Sequence, residues 1–290
     1  MSKIKNTRED YVIESFAYTF MILLALFTLI PLMNVVSKAL SEDWAVVSGT
    51  VGILPVGFRL DSLKLVIGSQ EFLTAFKNSV LVTGVGTVFT LLITGLTAYP
   101  LSKRNMPGMK AILILFVFTM FFGGGMIPNY ILIKNLHMLN TRSAIIVPAL
   151  INIFHMLIIK NYYESLPESL EESAKLDGAS NLTILFKIIV PLSIPVYASI
   201  TVFTTVMQWN NYIGPMLYIN SPALKTLPLY LRDLIAEARD VLNATDKLNS
   251  VSPEGITSAA IVASTVPILL IYPFLQKYFI KGMLIGSVKG

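Results

Sequence analysis

The chain has 290 residues, of which 54% are hydrophobic and 13% charged, with a formal net charge of +5 and no cysteine. Soluble domains carry about 25% charged residues, so this composition excludes an ordinary soluble domain and points to lipid as the solvent. Disulfides and thiolate metal sites are excluded, and the basic residues are scattered between apolar runs, a pattern of membrane topology that implies lipid and no nucleic acid as partner.

In chain order, six apolar runs predict helices over about residues 11–36, 75–99, 111–133, 143–163, 185–209 and 257–280. Each is long enough for the roughly 20 residues that a membrane helix needs. The first run follows Lys3, Lys5 and Arg8. It exceeds the about 7–15 apolar residues of a cleaved signal peptide and reads as an uncleaved span. Helices are expected because lipid offers no partner to open backbone groups, and because these runs lack the alternation of barrel strands. The expected class is all-α: one polytopic transmembrane domain over residues 1–290.

Lys103, Arg104 and Lys110 lie between spans two and three, and Lys277, Lys281 and Lys289 at or beyond the end of span six. With the basic amino-terminal tail they predict both termini in the cytoplasm. The long segments 37–74 and 210–256 then face outward, and their mixed charge, Pro and Gly predict folding against the outer face.

Three spans carry polar residues at helical spacing. In span two, Thr83, Thr87, Thr90, Thr94 and Thr97 predict a helix-packing face. In span four, Pro148, Asn152 and His155 share a face, and His155 is expected to make an interhelical hydrogen bond. In span five, Tyr197, Thr201, Thr204, Gln208 and Asn211 form a continuous polar face after Ser193. Its hydroxyl, amide and aromatic groups suit a substrate path, and packing against a partner subunit is the alternative. No catalytic site is expected. There is no Gly-rich phosphate loop with Lys and Ser/Thr, and His137 and His155 have no carboxylate at metal-ligand spacing, so no metal site is expected.

Residues 164–184 link spans four and five. Ser165 and Glu168 have capping-box spacing, Pro167 suits a first turn, Leu166, Leu170 and Ala174 share a face, and Gly178 can end the helix. This predicts a short amphipathic helix outside the bilayer, with Glu168, Glu171, Glu172 and Lys175 on its polar face. Its spacing is specific: Glu172-Ser173-Ala174, three residues, Gly178, nine residues, then Ile188-Ile189-Val190-Pro191. The pattern resembles the EAA loop of ATP-binding-cassette (ABC) importer permeases, with Ser173 and Val190 as conservative departures. Phe76-Lys77-Asn78-Ser79-Val80, Ala98-Tyr99-Pro100-Leu101-Ser102 and the ending Gln276-Lys277-Tyr278 through Gly286 resemble MalG-type carbohydrate permeases. Gly123-Gly124-Gly125-Met126-Ile127-Pro128 and Leu139-Asn140-Thr141 are similar to a branch linked to acidic plant or algal oligosaccharides such as alginate or pectin fragments.

The resemblance implies a type I ABC importer permease fold in the bacterial cytoplasmic membrane. It implies four kinds of partner: a second homologous permease, two ATPase subunits, an extracellular or periplasmic solute-binding protein, and the surrounding lipid. It assigns ATP and Mg to the ATPase subunits, leaving this chain without cofactor and without enzymatic activity. Glu168, Glu171, Glu172, Ala174, Lys175, Asp177 and Gly178 become the ATPase-coupling residues, with Glu172 pairing with a basic ATPase residue, and the tail from Lys281 to Gly290 also reaches the ATPase. Rival readings are the same machinery for a polyamine, phosphate or amino acid, a secondary transporter, for which spans two to six hold no carboxylate, or a membrane scaffold.

Overall fold

In the computed structural model, which describes residues 8–103, 106–243 and 252–287 and within them the side chains of residues 10–103, 106–237 and 252–270, every long apolar run is helical. Three helices are long and apolar enough to cross a bilayer unbroken: Asp10–Ala39, Gln70–Leu101 and Pro253–Leu270. Three further candidate spans are bent pairs: Met109–Phe121 with Met126–Asn135 at 114°, Ser143–Ala149 with Ile153–Glu164 at 46°, and Asn181–Leu192 with Ile194–Trp209 at 81°. The chain is therefore all-α with up to six spans, as expected. Lys3, Lys5, Arg104 and Lys289 lie outside the described residues, as do the side chains of Arg8, Lys277 and Lys281.

Spans three, four and five depart from the continuous helices predicted. Span three breaks where Gly123-Gly124-Gly125 removes side-chain restraint, and Gly125 takes φ 84°. Its first helix has 13 residues. At 1.5 Å per residue it covers about 20 Å, short of the about 30 Å hydrocarbon core. Span four breaks at Asn152, whose backbone is extended and whose Oδ1 accepts the His155 amide at 3.0 Å. Asn152 is thus a helix N-cap and does not continue one helical face with Pro148. Span five begins with the π-helical turn Leu185–Ile189 and bends at Ser193, between Pro191 and Pro195, each without an N–H to give the helix.

The described residues form two compact units. The first joins residues up to 69 with residues 231–265. Span one here is exposed along its apolar length, a surface that lipid or another subunit must cover. Its far end is pinned by side chains: Asn34 donates to the carbonyls of Val51 and Gly52 at 3.0 and 2.9 Å, and Lys38 pairs with Glu254 at 3.0 Å. Asp43 accepts the Ser252 amide at 2.7 Å, which seats the start of the helix Pro253–Ser287.

The second unit joins residues 70–230 with residues from 266 onward. Span two is its centre, packed on spans four and five. Thr83, Thr87, Thr90 and Thr94 are buried along this face, and the Thr87 and Thr205 hydroxyls lie 3.5 Å apart. The small residues let the helices approach closely. At one end, Asn78 donates to the carbonyls of Ala223 and Lys225 at 2.8 and 3.0 Å and accepts from Arg142 at 2.9 Å. Ser79 accepts the Leu227 amide at 2.7 Å. The segment after span five is therefore tied to span two by buried polar groups that would otherwise be costly to bury.

Candidate functional site

The loop that leaves Glu164 turns first at Ser165, whose hydroxyl donates to the Tyr162 carbonyl at 2.7 Å and ends span four. It therefore cannot also cap the next helix. The capping box predicted from Ser165 and Glu168 does not form: Glu168 occupies the N-cap position in a helical conformation with no side-chain cap. The helix runs Ser169–Leu176 and ends on Gly178, φ 80°. The Gly178 amide donates to the Lys175 carbonyl at 3.0 Å and the Ala179 amide to the Ala174 carbonyl at 2.9 Å. This pair of bonds is a Schellman closure, which satisfies carbonyls the helix end would leave open.

Of the predicted loop residues, Ala174 is buried, in one apolar cluster with Tyr99, Met156, Tyr163 and Ile184. Leu166 packs against the same cluster, whereas Leu170 is 37% exposed. The helix is thus wedged onto the ends of spans two, four and five by a small side chain. Glu168, Glu172, Lys175, Leu176 and Asp177 are exposed, with Leu176 at 89%. A bare leucine beside charges of both signs is a surface suited to a protein partner.

Glu171 turns the other way. It forms an ion pair with Lys103, the Tyr99 hydroxyl donates to it at 3.5 Å, and the Lys103 ammonium sits 4.4 Å from the Tyr99 ring centre. The Tyr99 ring meets Tyr163 edge-on at 6.3 Å, and the Tyr163 and Tyr197 hydroxyls are 2.6 Å apart. One chain of contacts therefore links the loop helix to the interior of span five. Beside it, a recess of about 590 Å³ opens between Lys103, Met106 and Pro107 on one side and Glu168, Glu172 and Lys175 on the other. Lys103→Met is expected to make amide hydrogen exchange across Ser169–Leu176 about five-fold faster, the effect of losing about 1 kcal/mol from a partly exposed ion pair. Unchanged exchange would remove Lys103 as an anchor of the helix.

The polar stripe of span five divides. Tyr197 and Thr201 do not line the recess formed by the upper residues: the Tyr197 hydroxyl is engaged by Tyr163, and the Thr201 hydroxyl donates to the Tyr197 carbonyl at 2.7 Å. Thr204, Gln208 and Asn211 line a second recess, of about 430 Å³. Span two adds Thr90 to its wall, and the broken span four adds Pro148, Asn152 and His155. The His155 Nδ1 and Thr204 hydroxyl are 3.4 Å apart. Among the described residues no group of three or more His, Asp or Glu is placed to hold a metal ion.

Sequence reasoning did not anticipate Lys103 as a partner of Glu171, read only as a topology charge, nor Asn152 and His155 as neighbours of Gln208. Nor did it anticipate Gly95. A Cβ there would overlap the Tyr197 hydroxyl and come within 3.3 Å of the Tyr163 hydroxyl. A glycine directly after Thr94 in span two was the available signal.

Comparison with known proteins agrees with this architecture. The chain is 38% identical to the polygalacturonan/rhamnogalacturonan transport system permease protein YtcP of Bacillus subtilis (strain 168), over 99% of this chain and 100% of that one. It is 40% identical to protein LplC of the same organism, over 98% and 97% of the two chains. A solved chain of a bacterial ABC transporter involved in the import of the acidic polysaccharide alginate matches with TM-score 0.86 at 31% identity, covering 96% of this chain and all of that one. The family of binding-protein-dependent transport system inner membrane components matches residues 4–285. Matched by that family over residues 4–285 and alike in fold to a chain of an importer, the chain belongs to the binding-protein-dependent transport system inner membrane components and is a permease subunit of an ABC importer.

Proposed function

We propose that this permease imports oligosaccharides cut from acidic plant or algal polysaccharides and forms half of their path through the membrane. A second homologous permease supplies the other half, two separate ATPase subunits bind ATP and Mg below, and an extracellular solute-binding protein delivers the solute. Both termini and the loop helix lie in the cytoplasm. Thr204, Gln208 and Asn211 face the path. The observation that carries the coupled mechanism is the loop helix itself: closed by Gly178, wedged by Ala174, and presenting Glu172, Lys175 and Leu176 outward. Such a helix moves with spans two, four and five, so closure of an ATPase around it is passed to them as a rigid-body movement. The acidic-sugar reading draws on the relatives, one named for polygalacturonan and rhamnogalacturonan and one described with the acidic polysaccharide alginate.

The purified chain alone is expected to hydrolyse no ATP, because its sequence contains no phosphate-binding loop. Adding the partner permease, ATPases and binding protein should give hydrolysis that rises with an oligogalacturonate. The measurement is phosphate release from proteoliposomes with and without each component. Hydrolysis by the chain alone, or stimulation by a polyamine or amino acid in place of the sugar, would overturn the proposal.

A further inference from the structure

We infer that the recess between spans two, four and five is a saccharide subsite that reads sugar hydroxyl groups with neutral side chains. The inference rests on the oligosaccharide reading above and adds Asn152 and His155, from a different span, to the residues that meet the solute.

Polar groups within membrane helices are expensive and converge where they are used. Here they converge from two sides. Gln208 is 7% exposed, and among the described residues its Oε1 has no hydrogen-bond partner. It lies over Gly86, where a Cβ would come within 3.1 Å of its Nε2. The amide is thus held against span two beside the recess; its Oε1 is itself closed to solvent, so a solute hydroxyl meets it when the side chain turns toward the recess, and a buried unpartnered acceptor gains from such a bond. Opposite it, His155 is 4% exposed and its Nδ1 stands 3.4 Å from the Thr204 hydroxyl, a long contact that leaves both groups able to take a better partner.

The volume of about 430 Å³ suits a small-molecule site. Met207 and Ile151 in its wall offer apolar surface to the face of a sugar ring. Among the described residues, no Lys, Arg, Asp or Glu lines the recess. A carboxylate stripped of water against neutral groups alone would be strongly disfavoured, so the chemistry that fits is the hydroxyl edge of a sugar. Hydroxyls occur on every ring of an oligosaccharide, so successive rings can occupy the same subsite and leave it, as a path requires.

The test uses the complete importer in proteoliposomes, with uptake of an oligogalacturonate followed per assembled complex. Gln208→Met and Thr204→Val keep side-chain volume while removing hydrogen bonding. Each is expected to assemble normally, read by co-purification of the partner subunits, and to lower uptake about five-fold. Thr97→Val makes the same chemical change where the hydroxyl only donates to the Ile93 carbonyl of its own helix, at 2.7 Å, and should transport as the unmodified complex does. Unmodified uptake by assembled Gln208→Met and Thr204→Val would overturn the subsite. Failure of both variants to assemble would also overturn it and make this face a subunit interface. If the unmodified complex takes up no oligogalacturonate while carrying another solute, the oligosaccharide reading fails, and the subsite with it. That result is separable from the others because it needs no variant.

Discussion

Replacing Gly178 by valine is expected to abolish coupled transport, by at least about ten-fold, while the chain still enters the membrane. Gly178 holds φ 80° to close the helix Ser169–Leu176. A left-handed conformation costs an ordinary residue about 1–2 kcal/mol and a β-branched residue more. Among the described residues no atom lies within 4 Å of the position its Cβ would take, so the penalty is one of backbone conformation and not of space. To relieve it the chain must give up the Ala179 to Ala174 hydrogen bond, and with it the seating of Ala174 among Tyr99, Tyr163 and Ile184. The order of defects should therefore follow φ preference: asparagine mildest, alanine intermediate, valine worst. The measurements are membrane insertion, ATPase co-purification and binding-protein-stimulated hydrolysis for all three. Equal, unimpaired stimulation across the series would remove this turn from the coupling mechanism.

Gly95→Val is expected to be the most damaging change inside the bilayer, and through stability first. A side chain there must displace the Tyr197 hydroxyl and crowd the Tyr163 hydroxyl, which are bonded to each other at 2.6 Å. Overpacking of a tight core costs about 1–3 kcal/mol, and two part-buried hydroxyls that lose each other add to it. The complex should yield poorly and melt several degrees lower in detergent. The contact also predicts a rescue. Tyr197→Phe removes the overlapping oxygen, so Gly95→Ala with Tyr197→Phe should melt higher than Gly95→Ala alone, although Tyr197→Phe by itself lowers stability. Non-additivity of that sign is the mark of direct contact. A Gly95→Val complex that melts as the unmodified one does would show that spans two and five do not pack as described.

How far each feature was legible in the sequence follows from the range of the interaction behind it. Span count, helical class and the place of the loop helix rest on local chemistry: about 20 apolar residues in a run, and a glycine where the loop helix ends in positive φ. These survived into the structure, and the EAA spacing led to the family. The breaks in spans three, four and five had visible causes in Gly123-Gly124-Gly125, Asn152 and the Pro191 to Pro195 segment. Their depth did not follow from those residues, because a glycine or proline permits a bend and only packing fixes its angle, here 114°, 46° and 81°. The capping box failed for a related reason. Ser165 had two nearby backbone groups to choose from, and the carbonyl of Tyr162 won.

Periodicity grouped Tyr197, Thr201, Thr204, Gln208 and Asn211 on one face, since it reports direction around a single helix and nothing about the neighbour. Tertiary structure set Tyr197 against Tyr163 over Gly95, and Gln208 beside His155 and Asn152. The ion pair of Lys103 with Glu171 likewise joins residues 68 positions apart. The sequence by itself determined which segments become helices, where one helix must end, and which family the chain belongs to. Only the tertiary structure decided which polar groups satisfy one another across helices and which are left facing a recess, because that depends on contacts between segments distant in the chain, which no local spacing encodes.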